Sequence, residues 1–296
     1  MAWRTRFAPA PTGLLHLGHV ANAIHVWGIA RAFRGEVLLR IEDHDRTRCR
    51  DTFEDALLDD LDWLGFIPDV GSTDSFRADR HGHPQRQSNN EPRYAAALDA
   101  LTERGRTYVC TCTRRDIAAL APHAPGEEPR YPGTCRAAGH TAAESLARRV
   151  RLDDSTEAFV DRALEAQQQC PQQQCGDVLV RDRHGLWTYQ FAVVVDDMTH
   201  GIDVVIRGVD LLASTGRQVQ LARWLGRARP LEWWHHPLLL HPDGRKLSKA
   251  NRDTAISERR EAGVSAAALL GEAAALCGLL PAARDLTIDE LPTLFR

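Results

Sequence analysis

Two short segments, His16-Leu17-Gly18-His19 and Lys246-Leu247-Ser248-Lys249, constrain this chain more than any other part of it. Residues 3–7 read as a short strand that runs into Ala8-Pro9-Ala10-Pro11-Thr12-Gly13, where the prolines and glycine forbid regular structure. Val20, Ala23, Ile24 and Trp27 then recur at helical spacing, so a helix begins near Gly18. A strand, a rigid turn and a helix N-terminus aim free N–H groups and the positive end of the dipole at an anion. Two histidines three apart on that first turn can both reach a triphosphate, and Gly18 allows close approach to the backbone. Taken alone, the histidines would only cap a helix, but the Pro-x-Pro-Thr-Gly context favours the anion reading. Lys246, Ser248 and Lys249 follow the turn Pro242-Asp243-Gly244 and suit the charge that develops on a leaving pyrophosphate. Alone they would be a solvated surface turn. The pairing of the two segments makes them informative.

The pattern between them is α/β. Residues 36–41 form a second strand, apolar at Val37, Leu38, Leu39 and Ile41, ending in Glu42-Asp43. Asp51 followed by Glu54 resembles a capping box, and Phe53, Leu57, Leu61 and Leu64 carry a helix to Gly65. Strand, helix, strand, helix is the opening of a Rossmann-type, doubly wound parallel sheet. Residues 72–92 read as a polar surface connection, and Tyr94, Leu98 and Leu101 as one face of a helix. The Pro-rich run 122–132 and the Gln/Cys-rich run 167–175 are not patterned to bury a core, so an inserted, loop-rich subdomain is expected. Residues 178–181 and 187–195 read as a hairpin around Asp182-Arg183-His184-Gly185, with a strand at 202–206 and a helix at 211–224. The expected division is a catalytic domain over 1–230, its insertion at about 75–176, and a lysine-loop region with a helical tail over 231–296.

A net charge of −3 argues against unpatterned DNA coating, though it leaves room for a local basic face. No apolar run approaches the roughly 18 residues of a membrane span, and Met1 to Arg6 lacks the apolar core of a secretory signal. Seven cysteines without such a signal favour reduced thiols and a cytoplasmic setting. Cys110 and Cys112 can bind one Zn²⁺, with Cys135 as a third ligand, which would give shape to a stretch with little core. The alternative is three buried free cysteines. For the fourth ligand, chemistry alone favours His123 or His140; Cys170 and Cys175 read as loop residues.

With these motifs in order, the chain resembles the class I aminoacyl-tRNA synthetases, whose two signatures the histidine and lysine segments are. Arg6-Phe7-Ala8-Pro9, Pro11-Thr12-Gly13 and Arg40-Ile41-Glu42-Asp43 are similar to the glutamate-specific branch. Val194-Val195-Asp196-Asp197 and Ile206-Arg207-Gly208-Val209-Asp210-Leu211 continue the order, so the resemblance covers residues 3–252. Only residues 252–296 follow Asn251, too few for the helical anticodon-binding region of full-length glutamyl-tRNA synthetases. The chain therefore resembles the truncated glutamyl-Q tRNA(Asp) synthetase family, as Cys110-Thr111-Cys112-Thr113 and Lys249-Ala250-Asn251 also do.

That resemblance implies glutamate activation by ATP with Mg²⁺, without tRNA, and then transfer to the queuosine base of tRNA(Asp). It implies a catalytic and ATP-binding set of His16, Gly18, His19, Lys246, Ser248 and Lys249. It also implies a glutamate site from Arg6, Phe7, Ala8, Pro9, Ala10, Glu42, Tyr189 and Arg207. Arg6 or Arg207 can grip a carboxylate bidentately, Glu42 can receive the α-ammonium, and Tyr189 adds a hydroxyl and a flat wall. Read without the motifs, Arg207 is a strand-end charge and Glu42-Asp43 are helix-capping acids. Relatives carry serine where this chain has Ala10, so one hydroxyl contact is missing. The resemblance points to Tyr131 as fourth ligand beside Cys110, Cys112 and Cys135. A monomer is expected. The rivals are a truncated synthetase acylating a tRNA 3′ end, a catalytically inactive tRNA-binding module, and aminoacyl transfer to a carrier protein or small molecule.

Overall fold

Strand β1 (Arg4–Phe7) runs parallel to β2 (Glu36–Leu39), with Arg4 opposite Glu36 and Phe7 opposite Leu39. Helix α1 (Leu17–Ala32) makes the crossover between them, as a parallel pair requires. These come from a computed structural model that describes residues 2–121, 128–239 and 254–296. α1 is apolar almost all round and is buried from Val20 to Ala30 save Asn22. Helix α2 (Asp51–Leu64) stops at Gly65, whose φ of +79° is the left-handed conformation that glycine adopts without strain.

The chain forms two compact units. The first holds residues 1–89, 202–211 and 233–296. Its core joins Phe7, Ile24, Trp27, Val37, Leu39, Leu57 and Leu61 with Leu269, Leu270, Leu286 and Leu291. The helices after the lysine segment, Ile256–Glu261 and Ala266–Leu276, thus share one core with β1 and α1. Gly28 and Gly271 mark close packing: a Cβ at Gly28 would sit 2.2 Å from the Phe295 ring, and one at Gly271 1.5 Å from the Arg284 carbonyl oxygen. Strands Val204–Gly208 and Glu232–His236 are neighbours in one sheet.

The second unit holds residues 90–201 and 212–232. Its sheet of Thr107–Val109, Arg148–Val150 and Val178–Arg181 is antiparallel throughout, and Glu157–Asp161 pairs with Glu165–Gln169 as an antiparallel hairpin. The sheets of the described residues are therefore mixed, not wholly parallel. Tyr94, Leu98, Val150, Val180, Phe191 and Leu221 form its core. Among the described residues no helix is long and apolar enough to cross a membrane.

Three local expectations are corrected. Residues 187–195 are not the second arm of a hairpin: Arg181 and Trp187 make one bridge, and Tyr189–Thr199 is a helix. Phe191 to Asp197 are all buried, so the run carries no amphipathic period to separate helix from strand. Asp51 does not cap α2; Arg50 holds the cap position, and Asp51 and Glu54 sit in the first turn, where they complement the dipole. The stretch 72–92 is no surface connection. It holds the helix Thr73–Ala78 and buries Phe76, His83, Arg86 and Gln87. Arg86 explains this: it lies 2.9 Å from Asp43 and 2.8 Å from Glu54, a buried cation between two carboxylates.

Candidate active site and metal centre

His16 is the N-cap of α1. Its Nδ1 accepts from the backbone N–H of Gly18 at 3.1 Å, and its own backbone N–H donates to Nδ1 of His19 at 3.1 Å. The two rings lie 4.1 Å apart, tilted by 55°. A neutral ring whose Nδ1 accepts carries its proton on Nε2, so capping through Nδ1 leaves each ring an Nε2–H donor. Both histidines, with Gly18, Ala10 and Thr12, line a cavity of about 400 Å³ within the first unit. Asn22, Gly208, Asp210, His236, Pro237, Leu238 and Leu239 line it too.

Lys246, Ser248 and Lys249 lie outside the described residues. The described residues nearest to them in sequence lie at this cavity. Leu239, before the segment, lines it. After the segment, Ala255 forms an antiparallel bridge with His16, and the Ile256 N–H donates to Leu15 at 3.0 Å.

Arg6 is buried on β1 and donates to the Ile206 carbonyl at 3.3 Å. Phe7 belongs to the core, and the Pro9 carbonyl accepts from the Glu42 N–H at 3.0 Å. Glu42 is buried, and one carboxylate oxygen pairs with Arg40 at 2.9 Å. That pairing fixes the carboxylate and leaves its second oxygen for another donor. Arg207 is buried too, its Nε 3.0 Å from Nε2 of His235 and its guanidinium 4.7 Å over the Trp233 ring. Tyr189 opens the helix Tyr189–Thr199 of the second unit, and Ala8 is half-buried.

In the second unit the Cys110, Cys112 and Cys135 sulfurs all lie within 4.8 Å of one another. The Tyr131 hydroxyl is 3.6 Å from Cys110 and 4.0 Å from Cys112, and Cys112 is 3.5 Å from Cys135. Zinc–ligand bonds of about 2.0–2.3 Å place tetrahedral donors roughly 3.5–3.8 Å apart, so the set fits. Burial alone would raise the Cys135 thiol, but hydrogen bonds from Thr111, Tyr131 and Cys112 outweigh it and bring it down to about 6. Arg149 is a further partner: its Nε lies 3.3 Å from Cys110, and its guanidinium stacks 3.6 Å over the Tyr131 ring. His140 is half-buried beside the cluster, its Nδ1 2.8 Å from Glu144, its Nε2 3.3 Å from the Thr111 hydroxyl, and its ring hydrogen-bonded to Cys135. His123 lies outside the described residues.

The family model for the catalytic domain of class I tRNA synthetases of the E and Q type matches residues 2–288. The chain belongs to this class I synthetase family. A glutamyl-Q tRNA(Asp) synthetase of Symbiobacterium thermophilum is 40% identical, the match covering 98% of this chain and 91% of that one. One of Nitratidesulfovibrio vulgaris is 39% identical, covering 94% and 87%. In fold, the chain is similar to a crystal structure of a glutamate tRNA ligase from Elizabethkingia meningosepticum in complex with its amino acid. The TM-score is 0.79 at 24% identity, over all of this chain and 65% of that one. The chain thus spans a little under two thirds of that longer ligase.

This class I synthetase is a ligase. The two histidines, Gly18 and Ala10, named from the motifs, line one cavity, and the three cysteines lie in one cluster beside Tyr131, while three neighbouring residues were not named. Those three are Asn22 and His236 on the cavity and Arg149 at the cysteines. Asn22 carries a legible signal, standing three residues after His19 on the same helix face. His236 and Arg149 carry none, because tertiary contacts alone bring them in.

Proposed function

We propose that the chain activates glutamate with ATP and transfers it to the queuosine base of tRNA(Asp). The observation that carries this reading is the cavity holding His16, Gly18 and His19, with Leu239 on its wall and Ala255 bridged to His16. The shared name of the relatives supports the choice of amino acid and acceptor. ATP occupies the cavity, with its phosphates at the α1 N-terminus and the two Nε2–H groups. The glutamate α-carboxylate attacks the α-phosphate in line, forming the acyl–phosphate bond as the bond to pyrophosphate breaks. Lys246 and Lys249 meet the charge on the departing pyrophosphate. Mg²⁺, which class I synthetases use with ATP, would supply further positive charge to the phosphates. Arg6 and Arg207 grip carboxylate, Glu42 takes the ammonium, and Ala10 completes the wall. A hydroxyl of the nucleoside then attacks the acyl carbon, and AMP leaves with the electron pair.

Cys110, Cys112, Cys135 and Tyr131 would hold one structural Zn²⁺, which ties two distant stretches of the second unit together. ATP, glutamate and tRNA as partners set the chain in the cytoplasm.

Glutamate-dependent ATP–pyrophosphate exchange without tRNA tests the first step. For the second, radiolabelled glutamate is offered to an anticodon stem-loop bearing queuosine and to an unmodified tRNA transcript with an intact 3′ end. Transfer to the stem-loop alone is expected; charging of the transcript would establish the 3′-end reaction instead. ATP binding without exchange would mark an inactive tRNA-binding module.

A further inference from the structure

The second unit carries a cavity of about 500 Å³ that the reaction steps above leave unused. Its buried lining is Ile117, Ala147 and Arg149, and its exposed lining includes Arg114, Arg115, Arg183 and His184. Arg149 is taken up by Cys110, the Tyr131 ring and the Asp177 carbonyl. Arg114, Arg115 and Arg183 have no hydrogen bond or ion pair from their side chains among the described residues.

Two fixed supports bring these cations together. Arg114 and Arg115 open the helix Arg114–Leu120, whose first turn is set by a capping box. The Thr113 N–H and hydroxyl both donate to Asp116 at 2.8 Å, and the Asp116 N–H donates back to the Thr113 hydroxyl at 3.2 Å. Arg183 and His184 form the tip of a turn in which Oδ1 of Asp182 accepts from the N–H groups of His184 and Leu186 at 2.8 and 2.9 Å. Gly185 closes that turn at a φ of +82°. Asp116 and Asp182 are thus spent on local structure. Arg115 and Arg183, from separate segments, both act on Asp116, whose pKa is held down first by hydrogen bonds from Thr113, with these two cations assisting.

The whole chain carries a net charge of −3, so three guanidinium groups without a partner are a local feature, not the overflow of a basic protein. Like charges gathered on fixed supports repel, and a polyanion relieves that cost. A guanidinium fork matches phosphate with two parallel hydrogen bonds. Cations on separate supports suit successive phosphates along a strand better than one small anion.

We propose that this cavity docks the phosphate backbone of an RNA, with Arg114, Arg115 and Arg183 as the phosphate contacts and His184 adding a ring N–H. This rests on the reading of a tRNA as the acceptor. Phosphate contacts fix register without reading sequence, so the surface holds the RNA and leaves base recognition to other residues.

Fluorescence anisotropy follows the full chain binding a labelled tRNA(Asp) transcript at salt from about 50 to 200 mM, alongside a thermal melt of each variant. Arg114→Gln, Arg115→Gln and Arg183→Gln should each weaken binding about three- to tenfold. Each should also make the plot of log Kd against log salt shallower by about one. Arg183→Lys restores the charge without the fork, so it should recover the salt slope but only part of the affinity. The three side chains are exposed, so the variants should melt with the parent; where one does not, its alanine variant takes its place. Exposed Arg229, outside the cavity lining, is the control for net charge. A loss in Arg229→Gln as large as in Arg183→Gln would assign the effect to overall charge and overturn the inference. Weakened binding with an unchanged salt slope would point to distorted structure and overturn it as well. Glutamate-dependent exchange, measured without RNA, separates this inference from the reading beneath it. A parent that exchanges and binds the transcript, while the triple glutamine variant binds it equally well, sinks the docking surface alone. A parent that binds no transcript sinks both.

Discussion

The backbone N–H of His16 donates to Nδ1 of His19, and Nδ1 of His16 accepts from Gly18, so each ring is held by the helix it begins. Capping and chemistry are separable by substitution. His16→Asn keeps a good N-cap and should stay within about 1 kcal/mol of the parent in stability. It removes the Nε2–H donor, so ATP–pyrophosphate exchange should fall about 100-fold or more. A variant that loses stability but retains exchange would assign the histidine to capping alone.

Ala10 stands on the cavity wall where the family resemblance implies serine. Ala10→Ser should lower KM for glutamate by roughly three- to tenfold, the worth of one hydrogen bond, with KM for ATP little changed. Glu42→Gln should act in the opposite sense, raising KM for glutamate about 10- to 100-fold, because the buried carboxylate proposed to receive the ammonium is lost. Steady-state exchange kinetics with each substrate varied in turn would check both.

Metal analysis by mass spectrometry should find one zinc per chain. Cys110→Ser or Cys135→Ser should abolish it, and a chelator should lower the melting temperature of the parent toward that of the variants. Arg149→Met keeps all four donors but removes the guanidinium beside Cys110 and Tyr131. Zinc affinity should drop about 10- to 100-fold, read in competition with a chromogenic chelator. Full zinc retention in Cys110→Ser would rule out the site.

Asp60 is buried on α2, with neither oxygen hydrogen-bonded among the described residues and Arg260 3.9 Å away. Burial is the main cause that raises its pKa from 3.8 to about 6, with Arg260 opposing and Asp59 assisting. The folded value exceeds the unfolded one, so the stabilising contribution is full below pH 4 and is lost as pH rises through 6. Asp60→Asn should match the parent in urea melts near pH 4. Near pH 8 it should be more stable by about 1–2 kcal/mol, after allowance for Arg260 and solvent screening. A constant difference across that range would show that Asp60 does not titrate as described.

The legible parts were those whose chemistry is local in sequence. The strand, proline turn and histidine helix from Arg4 to Ala32 announce themselves by spacing, and the cysteine pair at Cys110 and Cys112 does so by ligand type. The helix Tyr189–Thr199 stayed hidden because a run buried on all sides has no period. Arg86 looked like surface polarity, since only Asp43 and Glu54, 43 and 32 residues away, make its burial sensible. Asn22 and His236 are 214 residues apart, and their pairing is visible only once the fold brings them together.

Leu239 lines the cavity and Ala255 bridges to His16, and in sequence Lys246 and Lys249 fall seven and six residues from these two positions. Covalent connection to both positions gives the two lysines an effective concentration on the order of millimolar. A free lysine or a detached peptide added to a Lys246→Ala variant would have to reach that level in solution to restore activity. By chain connectivity, lengthening the stretch between them weakens this advantage slowly, by about 0.6 kcal/mol for each doubling. The segment should therefore tolerate inserted residues far better than it tolerates being cut.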